Sequence, residues 1–264
     1  MTTFVLLHGA WHGAWCWDAL VDELGRRGHR GVAVDLPAGE PDAGASRSAD
    51  IVFAALGGSG RVGGSGRVGE SGPVGGSGPV GGSAPVGEDI VVVGHSMGGL
   101  VAPVVAERLA AAARPVRSVV FVAGLLPLVG SSYDEQAAAA GRGQIIQRGL
   151  GRGVLDHGDD SSSWVDLDLA IAKMCPDAPP DVARAAVRRL RRQYWTVMRE
   201  VSPLAGWPDV DYVSIVCADD AVVNPVWGRQ AFRDRFHAQA LELPGDHSPF
   251  LSRPVELADL LTSA

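Results

Sequence analysis

Ser96 lies in the sequence GHSMG at residues 94–98, which has the spacing G-x-S-x-G. The run IVVV directly before it is typical of a buried parallel strand. An Ala- and Val-rich segment compatible with a helix begins within two residues after it. In a strand–turn–helix of this kind the serine hydroxyl projects above the sheet, close to the free N–H groups of a helix N-terminus. We therefore predict that Ser96 is a nucleophile rather than a structural turn residue.

A serine hydroxyl becomes a good nucleophile only when a base takes its proton and a carboxylate holds that base. With a serine in this kind of turn, the expected chain order is serine, acid, histidine. His247 follows the last predicted strand in a loop and is the best candidate base. Five other histidines are less suitable by position: His8, His12, His29, His157 and His237.

Four aspartates are candidates for the acid. Asp35 precedes the serine, which is the wrong order, and Asp246 adjoins the histidine, where it is expected to brace the loop. Asp219 and Asp220 both follow the predicted strand at residues 212–217. Asp220 followed by VVNP after one alanine fits the acid turn better, with Asp219 as the alternative.

Acyl transfer also needs two N–H donors for the developing oxyanion. We expect the backbone N–H of Met97, directly after the nucleophile, to be one donor. The second should come from the loop after the first strand, and Ala10 is the best position there. Gly9 and Gly13 would keep that loop closely packed. This chemistry requires no metal and no organic cofactor.

The elements that would position these residues alternate between strands and helices, which favours a parallel sheet with right-handed crossovers. Six apolar runs predict strands at residues 4–7, 32–37, 90–93, 118–122, 212–217 and 238–243. The main helices between and after them are predicted at residues 15–27, 48–56, 97–113, 225–236 and 254–261. In such sheets ligands bind at the carboxyl ends of the strands, where the candidate residues lie.

The alternation lapses between residues 125 and 206, where we find no strand-like run. Helical patterns at residues 133–140, 163–172 and 181–192 are separated by prolines, which predicts a helical cap inserted into a core of residues 1–124 and 207–264. Aromatic residues of such a cap belong either to its core or to a substrate pocket. The candidate pocket residues are His12, Trp15, Leu125, Trp164 and Trp195.

Residues 57–86 consist of five consecutive hexads: GGSGRV, GGSGRV, GESGPV, GGSGPV and GGSAPV. A hexapeptide period can signal a parallel β-helix. Each hexad here contains one apolar residue, however, so five turns would bury little surface. We interpret the array as a flexible Gly/Ser-rich insertion without a catalytic role. A role in partner binding or assembly is the alternative.

Composition limits the class of protein. The chain has 264 residues, 46% of them hydrophobic, and a formal net charge of −7. It shows no basic stripe for nucleic acid and no apolar run long enough to span a membrane. Its three cysteines have no C-x-x-C spacing, which argues against a disulfide framework or zinc site and favours a reducing cytoplasm. We expect a small-molecule substrate, and either a monomer or a homodimer.

Four stretches together resemble the α/β-hydrolase superfamily, namely FVLLHGAWHGAWCW, VVGHSMGG, VCADDAVVNP and LPGDHSPFLSRP. More narrowly, they are similar to its small cofactor-free branch, which includes plant methyl-ester esterases and hydroxynitrile lyases. The resemblance implies an α/β fold with a mostly parallel sheet of about six strands. It also implies Ser96, Asp220 and His247 as the triad, with Ala10 and Met97 as the oxyanion hole.

The sequence departs from the lyases of that branch at two positions. Those enzymes have a threonine where this chain has Gly9, and a lysine directly after the histidine where it has Ser248. Both groups handle the cyano leaving group, so the resemblance favours a serine hydrolase of small to medium hydrophobic carboxylic esters. A thioesterase or lactone hydrolase, and a ligand-binding protein on the same fold, are the alternatives.

Overall fold

The computed structural model describes residues 1–57, 89–141 and 143–263. The predicted hexad array, apart from Gly57, lies outside these residues. The central sheet contains six strands, each on or overlapping a run predicted from the sequence. They are β1 (Thr2–Leu7), β2 (Arg30–Val34), β3 (Asp89–His95), β4 (Val116–Val122), β8 (Asp211–Cys217) and β9 (Leu241–Leu243).

The six strands are ordered β2-β1-β3-β4-β8-β9, and every neighbouring pair is parallel. Their carboxyl ends therefore share one edge of the sheet. On β1, Phe4 and Leu6 belong to the hydrophobic cluster on one face, and Val5 and Leu7 to the cluster on the other. Because successive side chains of a strand point to opposite faces, each strand serves both clusters.

Ten α-helices occur in the described part of the chain, and a 3-10 helix at Ala14–Trp17 precedes the first of them. They are α1 (Asp18–Arg26), α2 (Ala45–Ala55), α3 (Gly98–Ala111), α4 (Tyr133–Ala140), α5 (Leu167–Met174), α6 (Pro180–Val187), α7 (Thr196–Arg199), α8 (Pro225–Phe236), α9 (Pro249–Ser252) and α10 (Pro254–Ser263). Helices α1 and α10 contribute to one cluster, whereas α2, α3 and α8 contribute to the other. None of these helices is long and apolar enough to cross a bilayer.

The cap is not purely helical, which corrects the expectation from the sequence. It contains an antiparallel sheet of three short strands, β5 (Val154–Asp156), β6 (Ser161–Trp164) and β7 (Gln193–Tyr194). These strands have two to four residues and a largely polar composition, so they give no alternating pattern. Strand β6 also takes the first residues of the helix predicted at 163–172, which begins instead at Leu167.

Helix α6 ends at Val187, before the predicted residue 192. The five residues that follow it connect the helix to β7, and Arg191 among them contacts the loop after β1. By contrast, α8 has the predicted bounds: Asn224 accepts a hydrogen bond from the Val226 N–H at 3.0 Å and Pro225 is the first helical residue. The N-cap signal of Asn224 and Pro225 therefore marked a helix boundary accurately, whereas the arginine-rich residues after Val187 did not.

Candidate active site

Ser96 lies in a sharp turn between β3 and α3, with a φ of 50°. Its N–H donates to the Val122 carbonyl at 3.2 Å, and its carbonyl accepts from the Leu125 N–H at 2.9 Å. Glycines make the turn possible: a Cβ at Gly94 would lie 2.6 Å from the Gly98 carbonyl oxygen. The strained backbone of Ser96 is thus held by β4 and by the glycine contacts around it, as expected for a nucleophile turn.

His247 and Asp220 form a buried pair. The distance from His247 Nδ1 to Asp220 Oδ2 is 2.8 Å, and each side chain is 2% exposed. The other carboxylate oxygen, Oδ1, accepts hydrogen bonds from the N–H groups of Val222 and Val223 at 2.7 and 2.9 Å. The carboxylate is fixed by two backbone donors, so it can hold the imidazole in the tautomer with hydrogen on Nδ1 and leave Nε2 as a base.

The other candidate acids have different partners. Asp246 Oδ1 accepts from the Ser248 N–H and Ser252 hydroxyl, both at 3.0 Å, and Oδ2 accepts from the Asp177 N–H at 2.9 Å. Burial raises the pKa of this carboxyl. Asp219 is exposed and accepts from the Gly245 N–H at 3.2 Å. Both therefore brace the loop before His247 and neither bonds to its ring.

Asp35 serves the loop after β1. Its carboxylate accepts from the Ala14 N–H at 2.9 Å and forms an ion pair with Arg191 at 3.2 Å. The side chain is 62% exposed, so the pair is weakly stabilising at most. This contact lies on the solvent side of the loop, and Asp35 has no bond to His247.

His95 connects the nucleophile turn to the base. Its Nε2 is 2.8 Å from the His247 carbonyl oxygen, which can only accept, so Nε2 carries the hydrogen. The two rings lie 4.6 Å apart, and the His95 ring is fully buried. Burial lowers the pKa of His95 well below its usual 6.5, so the ring stays neutral. The residue next to Ser96 therefore holds the backbone of His247.

The loop after β1 presents the predicted second oxyanion donor. The N–H groups of Ala10 and Met97 have no hydrogen-bond partner within residues 1–57, 89–141 and 143–263. The Leu36 N–H donates to His8 Nε2 at 3.0 Å, so the hydrogen of His8 is on Nδ1, from which it donates to the Gly9 carbonyl at 2.8 Å. The peptide between Gly9 and Ala10 is thereby oriented through its carbonyl.

His8 and His12 are both neutral at ordinary pH. Burial lowers the pKa of His8 from 6.5 to about 4 and that of His12 from 6.5 to about 3. His12 Nδ1 donates to the Ala10 carbonyl at 3.0 Å. Because a neutral ring keeps its single hydrogen in one place, these two histidines act as fixed backbone supports rather than as proton carriers.

A cavity of about 620 Å³ lies at the carboxyl edge of the sheet, beneath the cap. Ala10, Ser96 and Met97 line it, so the nucleophile and the residues of both free amides share one wall. The opposite wall comes from the cap and is mainly apolar. It includes Ile146, Leu150, Val154, Trp195 and Met198. A nonpolar group bound there would lie against the predicted nucleophile.

Two of the five predicted pocket residues, Leu125 and Trp195, line this cavity. The other three do not. Trp164 packs behind the wall, with its ring centre 5.7 Å from that of Trp11. His12 and Trp15 pack against each other at 5.6 Å on the far side of the loop after β1. The loop that contains their motif lines the cavity through Ala10 and Trp11, but the side chains of His12 and Trp15 do not line it.

Sequence reasoning missed several wall residues, because they lie far from the motifs. Gln147 is one: its Nε2 donates to the Asp220 carbonyl at 2.7 Å and its N–H donates to the Val222 carbonyl at 2.8 Å. Charged residues also line the cavity, namely Asp156, Asp160 and Arg199, and the last two form an ion pair. The described residues contain no cluster of three His, Cys, Asp or Glu side chains arranged to hold a metal ion.

Comparisons with known proteins concern the family and the fold of the chain. The profile of the family described as "Alpha/beta hydrolase family" matches residues 4–260. Methyl jasmonate esterase 1 of Vitis vinifera is 27% identical over 274 aligned residues, covering 98% of this chain and 94% of that protein. Methylesterase 7 of Arabidopsis thaliana is 25% identical, with the same coverage.

The crystal structure of polyneuridine aldehyde esterase has a similar fold. It superimposes with a TM-score of 0.72 at 18% identity, covering 100% of this chain and 98% of that one. At this identity the likeness concerns the fold alone.

Proposed function

Since the chain belongs to the alpha/beta hydrolase family, we propose that it hydrolyses carboxylic esters through an acyl-enzyme on Ser96. The observation that carries this proposal is the shared cavity wall: Ser96 lies there with Ala10 and Met97, whose N–H groups have no hydrogen-bond partner in the part of the chain that the structure describes. Behind that wall, His247 is fixed by Asp220 at 2.8 Å. Esterases and methylesterases among the relatives support the same reaction.

In the first step, Ser96 Oγ attacks the ester carbonyl carbon and its proton passes to His247 Nε2. The carbonyl oxygen becomes an oxyanion, which the N–H groups of Ala10 and Met97 stabilise by a few kcal/mol per donor. Asp220 stabilises the imidazolium without taking its proton. The tetrahedral intermediate collapses, His247 protonates the departing alkoxide, and an alcohol leaves.

In the second step, His247 takes a proton from water as the water oxygen attacks the acyl carbon. The second tetrahedral intermediate expels Ser96 Oγ, which recovers its proton from His247 and releases the carboxylic acid. The same three residues therefore serve both halves of the reaction. The reaction consumes only the ester and one water molecule.

The cavity wall supports a small to medium hydrophobic ester as substrate. The cavity volume of about 620 Å³ is in the ordinary range for small-molecule pockets, and apolar side chains dominate the cap side of the cavity. Gly9 disfavours lyase chemistry, because a Cβ there would lie 2.9 Å from Ser96 Cβ and a threonine has no room without movement. The buried free thiols, Cys16, Cys175 and Cys217, are compatible with a cytoplasmic location.

A series of esters with one acyl group and different leaving alcohols tests the proposal. All of these esters form the same acyl-enzyme, so those whose deacylation is the slower step should share one kcat while kcat/KM varies with the alcohol. With these esters a burst of the released alcohol should precede steady turnover. Folded protein that turns over none of these esters, or that cleaves a cyanohydrin faster than any ester, would contradict the proposal. Ser96→Ala is the control and should be inactive.

A further inference from the structure

Trp11 directly follows the proposed oxyanion donor and has a left-handed backbone, with a φ of 62°. A large non-glycine side chain disfavours this conformation. It persists only where surrounding contacts hold it in place, and such residues cluster at functional sites. Something must therefore restrain Trp11, and that restraint also sets the peptide that joins it to Ala10.

The backbone of Trp11 is held from the cap. Its N–H donates to Gln193 Oε1 at 3.2 Å, and its carbonyl accepts from the Arg191 N–H at 2.7 Å. The indole N–H donates to Ser162 Oγ at 3.2 Å. All three polar groups of Trp11 are thus bonded to the cap, which contributes two backbone restraints and one side-chain restraint.

Gln193 is itself fixed. The side chain is buried, and its Nε2 donates to the Tyr194 carbonyl at 2.6 Å. Because a carbonyl can only accept, this bond puts the amide nitrogen toward Tyr194 and leaves Oε1 for Trp11. Strand β7 is anchored in turn: the Tyr194 N–H donates to the Ala38 carbonyl at 2.9 Å, and Gln193 pairs with Ser162 of β6.

The peptide between Ala10 and Trp11 is consequently held at both ends. Its carbonyl oxygen accepts from His12 Nδ1 at 3.0 Å, and its N–H donates to Gln193 at 3.2 Å. Rotation of this peptide would break both bonds. A shift of this peptide would also displace the Cα atom of Ala10, which lines the cavity beside Ser96 and whose N–H is oriented by the bond from His8 to the Gly9 carbonyl.

We propose that Gln193 is a positioning residue for the oxyanion hole: its side-chain amide holds Trp11 in the left-handed conformation and so, together with the His8 bond to the Gly9 carbonyl, fixes the position of the Ala10 N–H. The inference rests on the proposed ester hydrolysis. It makes the cap part of the catalytic machinery, because the residue that follows the oxyanion donor is held by a cap residue 182 positions away in sequence.

Gln193→Met tests the inference, since methionine has nearly the same length and cannot accept from Trp11. Tyr194→Phe is the matched control on the same strand, and it removes only an exposed bond from the hydroxyl to Asp159. The readout compares two inhibitors of the same shape. Ser96 Oγ adds to the carbonyl carbon of a trifluoromethyl ketone while its proton passes to His247. The carbonyl oxygen of the ketone then becomes an oxyanion. The matching secondary alcohol forms none.

Gln193→Met should lower kcat and the ketone affinity together, by roughly 10- to 100-fold. KM and the affinity for the alcohol should stay near the wild-type values. Tyr194→Phe should change neither kcat nor KM, and neither inhibitor affinity. Equal losses for ketone and alcohol, or no loss for either, would overturn the inference. Gln193→Asn, which is too short to reach Trp11, should show the same split and serves if the methionine variant does not fold.

The wild-type protein distinguishes a failure of the proposed ester hydrolysis from a failure of the proposed role of Gln193. A wild-type protein that neither turns over esters nor binds the ketone tightly contradicts the proposed function itself. A wild-type protein that does both, with an unaffected Gln193→Met variant, contradicts only the role of Gln193.

Discussion

Gln147 Nε2 donates to the backbone carbonyl of Asp220 at 2.7 Å. A residue of the cavity wall is thereby bonded to the turn that carries the proposed acid. The neighbouring residue Ile146 forms an isolated antiparallel bridge with Val223, and the Asn224 N–H donates to the Ile145 carbonyl at 2.8 Å. The cap is therefore attached to the sheet beside Asp220 as well as beside Trp11.

Gln147→Leu should weaken this attachment. The substitution leaves the Asp220 carbonyl without its amide donor, a loss of about 1 kcal/mol for a hydrogen bond of this kind. We expect kcat/KM to fall by roughly 3- to 10-fold. Gln144→Leu, in the same segment but exposed and without a side-chain bond among the described residues, is the control. Steady-state kinetics that do not distinguish the two variants would show that the bond has no functional role.

Asp220→Asn should separate the two candidate acids. Asparagine keeps the size of the side chain but cannot stabilise the imidazolium, so kcat should fall by about 10⁴-fold with little change in KM. Asp219→Asn, which changes an exposed neighbour, should stay within roughly twofold of wild type. Kinetics at saturating ester provide the measurement. If Asp219→Asn lowered kcat more than Asp220→Asn, Asp219 would be the acid.

Gly9→Ala should strongly reduce the activity of the protein. The new Cβ would lie 2.8 Å from His95 Nδ1 and 2.9 Å from Ser96 Cβ, so the loop after β1 has to shift. A displacement of about 1 Å at the oxyanion donor costs roughly 100-fold in kcat. Overpacking should also cost about 1–3 kcal/mol of stability.

Gly25→Ala is the matched control, because a Cβ there meets nothing within 4 Å. It lies inside α1, where alanine is favoured over glycine by about 0.5–1 kcal/mol. Activity should be unchanged and stability slightly higher. A Gly9→Ala variant that is as active as Gly25→Ala would mean that the loop tolerates a side chain beside the nucleophile.

The buried histidines should make stability depend on pH. The folded pKa values of His8 and His12, about 4 and about 3, lie below the unfolded value of 6.5. Above pH 6.5 both states are neutral and the full stability is present. As the pH falls from 6.5 toward 4, the unfolded chain binds protons that the folded protein excludes. Each histidine should then remove about 1.4 kcal/mol per pH unit.

His12→Asn isolates one of these contributions. The asparagine amide can still donate to the Ala10 carbonyl, but it does not titrate. In urea unfolding, the stability should fall with decreasing pH less steeply than in wild type, by about 1.4 kcal/mol per pH unit between pH 4.5 and about 6, and the two proteins should have the same slope above pH 7. Identical slopes in the wild-type protein and His12→Asn would contradict the lowered pKa of His12 in the folded protein.

The sequence predicted the central sheet and the turn around Ser96 much better than the cap. Runs such as IVVV are unambiguous because a strand buried on both faces needs consecutive β-branched residues. The triad candidates follow such strands, so their location followed from the strands. Strand β6, with the sequence SSSW, lacks any such signal because its role is to pair with its neighbours rather than to bury apolar faces.

The pocket and its supports were less accessible from sequence. Neither Gln193 nor Gln147 belongs to a motif, and each contacts its partner across a large separation along the chain. Trp15 and His12 lie in a recognisable motif, yet their side chains support the loop instead of lining the cavity. Tertiary packing decides on which side of a loop a side chain lies, and local patterns do not contain that information.

We propose that Ser96 is an activated nucleophile beside a working oxyanion hole. The most direct test of this role is the intact mass of the folded protein after brief exposure to a fluorophosphonate, followed by peptide mapping. We predict one adduct per chain, located on Ser96, and no adduct on Ser96→Ala. Unlabelled wild-type protein, or an adduct that persists in Ser96→Ala, would contradict the claim.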